Sequence, residues 1–259
     1  MSRLDSAFDT RPAFMPYFPL GYPSPEISVD VIETLAKNGA DLIEVGLPFS
    51  DPLADGPVIQ RATQIALQNG MTVSRALRAV ADLRARGVTI PLVLMGYYNP
   101  LLAYGLLRLA LDAADAGADG FIVPDLPPEE SAEFESALGD MLLIRMLAPT
   151  TPTNRVRTIT QKARGFLYLV SLTGVTGARS ALSEGLPEFI ARVREHTDLP
   201  LCVGFGISTP EQARAVGRIA DGIIVGSACV KTVGEAADPV RAAEAFASAF
   251  KTALAEHAI

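Results

Sequence analysis

The chain has 259 residues, 49% of them hydrophobic, and a formal net charge of -7. That length suits one α/β barrel or two small domains, and the apolar share is enough for a sizeable core. The acidic balance argues against a nucleic-acid binder, which needs a basic stripe, so any phosphate must be held locally by backbone N–H groups.

The N-terminal MSRLDSAFDT carries early acids and no apolar core, so no signal peptide is expected and a cytoplasmic location is. Eight apolar strands are predicted in chain order, near 14–19, 41–46, 91–95, 119–123, 141–146, 166–170, 200–203 and 221–225. Amphipathic helices are predicted between them, at Val29–Asn38, Pro57–Gln68, Val73–Arg86, Leu106–Ala116, Pro128–Leu138, Asn154–Ala163, Leu186–His196 and Pro210–Val216. A last helix is predicted from about Pro239 to Glu256. The uncharged stretch from Val88 to Leu107 is broken by Pro91, Gly96, Asn99, Pro100 and Gly105, and reads as a strand followed by a loop rather than a membrane span. A short motif recurs as NGADLIEVG at 38–46, AGADGFIVP at 116–124 and RIADGIIVG at 218–226. Each is a helix end, a small residue, an Asp and a buried strand, and the repetition implies a closed array of βα units. We therefore expect a (β/α)8 TIM barrel over residues 1–259, with no dividing linker.

Two loops stand out. PFSDPLADGP (48–57) follows the second strand, and SLTGVTGARSALSEG (171–185) follows the sixth; the second is long enough, with Gly174 and Gly177, to act as a lid. Both leave strand C-termini, the face on which barrel active sites are built. Glu44 sits in a strand between Ile43 and Val45. In that position it is either a proton-exchanging group at the barrel mouth or an ion-paired structural residue. Asp55 is either the second carboxylate of an acid–base pair or a helix N-cap, and Asp51 is more readily a turn residue.

Other chemistries lack residues. The only histidines, His196 and His257, are expected at the surface, and no lysine falls in a predicted strand, which weakens metal, hydrolase and Schiff-base readings. Cys202 and Cys229 lie in apolar segments and are expected to be buried thiols. GFGIST (204–209) and VGSACV (225–230) follow the seventh and eighth strands, each where a helix can open. Glycines there allow close backbone approach to an anion, so a phosphate site is expected at the ends of strands seven and eight.

Taken together, E-V-G-L-P-F-S-D-P-L-A-D-G-P at 44–57, S-L-T-G-V-T-G ending at Gly177, G-F-G-I-S at 204–208 and V-G-S-A-C-V-K at 225–231 resemble the tryptophan synthase alpha chain family. The resemblance spans essentially the whole chain. It implies cleavage of indole-3-glycerol phosphate to indole and glyceraldehyde 3-phosphate, with Glu44 as general acid/base and Asp55 accepting a hydrogen bond from the indole N–H. It implies that the phosphate rests on Gly206, Gly226 and Ser227, with Phe205 and Gly177 nearby. Indole would pack among Tyr17, Met95, Tyr97, Tyr168 and Ile224, and Thr176 would orient the loop acid when the lid closes. It further implies a pyridoxal-phosphate beta chain as partner in an α2β2 heterotetramer, no cofactor in this chain, and a docking face at Asp51, the 48–57 loop, Leu101, Leu102 and Tyr104. Two residues depart from the pattern: Pro19 replaces a small polar residue near the loop acid, and Tyr17 stands where many members have Phe. Three rival readings are a stand-alone indole-3-glycerol phosphate lyase, another phosphate-sugar barrel such as an epimerase, and a barrel kept only to activate its partner. The epimerase needs ligands or acids on other strands that the sequence lacks, and retained Glu44 and Asp55 argue against an inert barrel.

Overall fold

A computed structural model describes residues 3–171, 185–204 and 206–255. Eight strands run in chain order: β1 (Ala13–Pro19), β2 (Ile43–Gly46), β3 (Leu92–Met95), β4 (Gly120–Ile122), β5 (Leu142–Leu147), β6 (Leu167–Val170), β7 (Leu201–Gly204) and β8 (Gly222–Val225). Each pairs in parallel with the next, and β8 pairs with β1, so the sheet closes into a barrel. The helices around it are α1 (Arg3–Ser6), α2 (Pro25–Lys37), α3 (Pro57–Gln68), α4 (Val73–Ala85), α5 (Tyr98–Tyr104), α6 (Leu106–Ala116), α7 (Ala132–Leu138), α8 (Thr153–Lys162), α9 (Leu186–Arg194), α10 (Pro210–Gly217), α11 (Ser227–Gly234) and α12 (Pro239–Ala255). No helix among the described residues is long and apolar enough to cross a membrane.

The recurrent Asp of the sequence has a common task at the N-terminal end of the barrel. Asp41, Asp119 and Asp221 each accept a backbone N–H from the start of a neighbouring strand, from Phe14, Leu92 and Leu201 respectively, all at 2.8 Å. Each also binds cations: Lys251 on Asp41, Arg84 and Arg3 on Asp119, Arg194 and Arg11 on Asp221. A carboxylate that takes a strand N–H and a helix cation at once staples helix to sheet, and the face opposite the loops is where such stability devices belong.

Register and the alternation of strand side chains fix what faces inward. Tyr17 lies beside Glu44, Glu44 beside Val93, and Gly46 beside Met95. Across the barrel, Met146 lies beside Tyr168, Tyr168 beside Cys202, and Cys202 beside Gly222. Ile224, two residues beyond Gly222, then faces the interior beside Met15. Two large rings enter this space because two strands end in glycine. A Cβ on Gly46 would lie 2.3 Å from the Tyr17 hydroxyl oxygen, and one on Gly204 would lie 2.3 Å from that of Tyr168. Both contacts are closer than real Cβ atoms allow, so glycine is required for the rings to lie as they do.

Local chemistry moves several expected boundaries. The second helix begins at Pro25, not Val29, because Ser24 caps it by accepting Ile27 N–H at 3.2 Å and Pro25 fits the first helical position. Residues expected as a loop after β3 form α5, and this buries Leu101 completely, so Leu101 is a core residue and not part of an exposed face. The helix expected over Pro128–Leu138 divides into a 3-10 turn at Pro128–Glu130 and α7. Ser131 causes the break: its hydroxyl donates to Pro128 C=O at 2.8 Å and accepts from Arg145 at 2.7 Å, competing with helix continuation. His196, expected at the surface, is half-buried where the chain turns at the end of α9 with His196 N–H donating to Val193 C=O at 3.0 Å; its Nε2 is enclosed with no hydrogen-bond partner among the described residues. Cys202 and Cys229 are buried free thiols.

Candidate active site

Glu44 occupies the second position of β2, faces inward, and is 1% exposed. Its Oε1 is buried and has no hydrogen-bond partner among the described residues, and no ion pair joins Glu44 to a cation there, as the structural alternative would need. Burial, with the charge of Asp55 adding to it, pushes its carboxyl up to about 8. Glu44 is therefore protonated at neutral pH and can give a proton away.

Asp55 is 6% exposed and does not cap the helix that follows it; Gly56 is the N-cap of α3 and makes no side-chain cap bond. Burial raises Asp55 to about 6, while a hydrogen bond from the Tyr97 hydroxyl restrains the rise. The same hydroxyl accepts Ala54 N–H at 3.0 Å, and the Tyr97 ring packs on Phe49 with centroids 5.5 Å apart. One tyrosine from the end of β3 thus pins both the 48–57 loop and the carboxylate it carries. Asp55 N–H also donates to Pro52 C=O at 3.0 Å, and the Gln60 amide donates to Asp55 C=O at 2.7 Å, closing the turn. Asp51 is exposed and takes the Ser50 hydroxyl at 2.5 Å.

A cavity of about 210 Å³ opens at the C-terminal ends of the strands. Tyr17, Glu44, Asp55, Met95 and Tyr168 line one part of it. Gly206, Gly226 and Ser227 line another, so the expected phosphate residues and the expected acid–base pair share one space. Burial and the nearby carboxylates hold the Tyr17 and Tyr168 hydroxyls well above their ordinary range, so both stay neutral. Tyr97 acts on the cavity through Asp55, and Ile224 lies deeper in the barrel interior. Thr176, Gly177 and Phe205 lie outside the described residues.

Two helix starts border the part of the cavity lined by Gly206, Gly226 and Ser227. Thr209 caps α10 with a full capping box to Gln212, and Gly206 reaches it through a left-handed φ of +83° that favours glycine. At α11 the first intrahelical bond runs from Val230 N–H to Gly226 C=O at 3.0 Å, so the N–H groups of the turn before it have no partner within the helix. Pro57, Val58, Ile59, Ile207, Ser208, Ala228 and Lys231 also line the cavity, and none of them is among the residues expected there from the sequence. The first three are legible only once α3 is known to start at the cavity edge. Lys231 has a simple signal, a spacing of four from Ser227 on one helix.

On the proposed docking face, Leu53 is 83% and Leu102 48% exposed, whereas Tyr104 is half-buried and donates to Asp112 at 2.5 Å. Among the described residues no group of three or more His, Cys, Asp or Glu is placed to hold a metal.

The sequence profile described as "Tryptophan synthase alpha chain" matches residues 5–258. The tryptophan synthase alpha chain of Chloroflexus aggregans is 55% identical over 85% of this chain and 83% of its own length. That of Roseiflexus castenholzii is 53% identical over 90% of this chain and 92% of its own. Among solved structures, Mycobacterium tuberculosis tryptophan synthase superposes with a TM-score of 0.90 at 38% identity, covering 98% of both chains. The alpha chain from Legionella pneumophila gives 0.91 at 36%, covering 100% of this chain and 99% of that one. The closed barrel, its cavity and these likenesses agree, and the chain belongs to the tryptophan synthase alpha chain family.

Proposed function

We propose that this carbon–carbon lyase cleaves indole-3-glycerol phosphate through the Glu44–Asp55 pair. The observation that carries the reading is a buried, protonated carboxyl with an unpartnered oxygen, facing a cavity that also holds a second carboxylate titrating about two pH units lower. Between those values Glu44 is an acid and Asp55 an anion. Glu44 gives its proton to indole C3, and the ring passes to the iminium form. Asp55 accepts the ring N–H hydrogen bond and stabilises that positive charge in a site from which much water is excluded. The Glu44 carboxylate then takes the proton of the glycerol hydroxyl next to the ring. The bond to C3 breaks, its electrons return to the ring nitrogen, the aldehyde forms, and Glu44 ends protonated as it began.

The phosphate rests on Gly206, Gly226 and Ser227, as the exposed helix N–H groups and glycine backbones there favour. Indole lies against Tyr17, Met95 and Tyr168. Pro19 offers Asp55 no hydroxyl; the Tyr97 hydrogen bond fills that need. The proposal extends to Thr176, Gly177 and Phe205 as lid and phosphate-end residues, and to Ile224 as the floor of the pocket. A cytoplasmic beta chain carrying pyridoxal phosphate is the partner, in an α2β2 assembly, and this chain brings no cofactor of its own. Exposed Leu53 and Leu102 favour such docking.

The test is indole formation from indole-3-glycerol phosphate, with and without a beta chain, for wild type and Glu44→Gln. Activity raised by the partner and lost in the variant is expected. Strong activity without the partner favours the stand-alone lyase. Undiminished turnover in Glu44→Gln would refute the mechanism.

A further inference from the structure

We propose that Lys231, one turn into α11, neutralises the substrate phosphate and sets the preference of the site for phosphorylated over unphosphorylated indole substrates. This rests on the phosphate reading above. Lys231 is the one cation among the described residues lining the cavity, which otherwise presents Glu44 and Asp55. A dianionic substrate entering that space meets carboxylates at one end and needs positive charge at the other. Helix geometry supplies it. Ser227 and Lys231 share a face of α11, and helical side chains point back toward the N-terminus, so the Lys231 stem leads to the turn whose N–H groups have no partner within the helix. Lys231 forms no ion pair among the described residues, so its charge is not already committed. Glu44 Oε1, buried and unpartnered in the same cavity, independently marks the space as one a ligand completes. Backbone N–H groups fix the position of the phosphate; an exposed lysine adds a longer-range attraction that salt screens.

The experiment compares wild type, Lys231→Gln and Lys231→Arg, each with a beta chain, using indole-3-glycerol phosphate turnover and calorimetric binding of glycerol 3-phosphate and of indole. In Lys231→Gln the KM and the glycerol 3-phosphate Kd should rise about tenfold, with kcat within about twofold and a flatter dependence on salt. Indole binding should not change, and Lys231→Arg should restore most of the loss. A structural role would instead weaken indole binding as well. Unchanged KM and glycerol 3-phosphate affinity in Lys231→Gln, with the wild type active, would overturn the assignment to Lys231. A wild type that binds indole but not glycerol 3-phosphate would overturn the phosphate reading beneath it.

Discussion

Replacing Glu44 by Gln should stabilise the fold, and more so in alkali. The folded carboxyl titrates at about 8, because burial and then the charge of Asp55 oppose its ionisation, against an ordinary value of 4.5. The folded state therefore holds a proton that the unfolded chain releases between those values, and stability falls as pH rises through that window, levelling off above about 8. At ~1.36 kcal/mol per unit, the carboxyl costs about 2 kcal/mol at pH 6 and about 4 to 5 kcal/mol at pH 9. Gln is nearly the same size and does not ionise, so it escapes this cost. Urea unfolding of wild type and Glu44→Gln at pH 6 and pH 9 reads the difference directly. The variant should be the more stable at both values, with a gap wider by roughly 2 to 3 kcal/mol at pH 9. A gap that does not change with pH would refute the claim that Glu44 is buried without a partner for its charge.

Gly46→Ala should lower stability by about 1 to 3 kcal/mol and raise KM, because the added Cβ meets the Tyr17 ring at 2.3 to 2.8 Å and the ring must leave its place in the packed mouth. Urea midpoints and steady-state kinetics check it, and wild-type values for both would show that the ring is not held there. Asp119→Ala should cost about 3 kcal/mol without altering KM, since it removes a charge-assisted bond to Leu92 N–H and leaves Arg84, 14% exposed at the side chain, without its carboxylate. Thermal or urea unfolding alongside kinetics separates this stability effect from catalysis; a fall in kcat at equal folded fraction would contradict it.

The barrel was legible because its period is written twice, in the apolar strands and in the repeated Asp before three of them. In the sequence the second signal marks only strand starts. Its physical cause, a carboxylate bridging a neighbouring strand N–H and a helix cation, needs partners as distant in sequence as Asp41 and Lys251. Glu44 was legible because an acid in a strand between Ile43 and Val45 has few places to go. Asp55 was not separable from a helix cap on local sequence; only the cap position, Gly56, decides against that. The Gly and Pro residues around Leu101 suggest a loop, whereas Tyr98–Tyr104 forms a helix that turns Leu101 inward. The i, i+4 spacing of Lys231 from Ser227 puts both on one helix face, but only the fold shows that this face borders the cavity rather than solvent.

In the mechanism proposed, Glu44 is held as an acid while Asp55 is held as an anion. The pH profile of kcat/KM for indole-3-glycerol phosphate, which reports the ionisations of the free enzyme and substrate, reads both states at once. The pair should titrate with apparent values near 6 and 8, so the profile should rise through the first and fall through the second. A phosphate monoester also titrates at roughly 6, so the alkaline limb carries the test. A fall centred near 8 is expected; a profile that stays flat to pH 10 would show that Glu44 is not the acid.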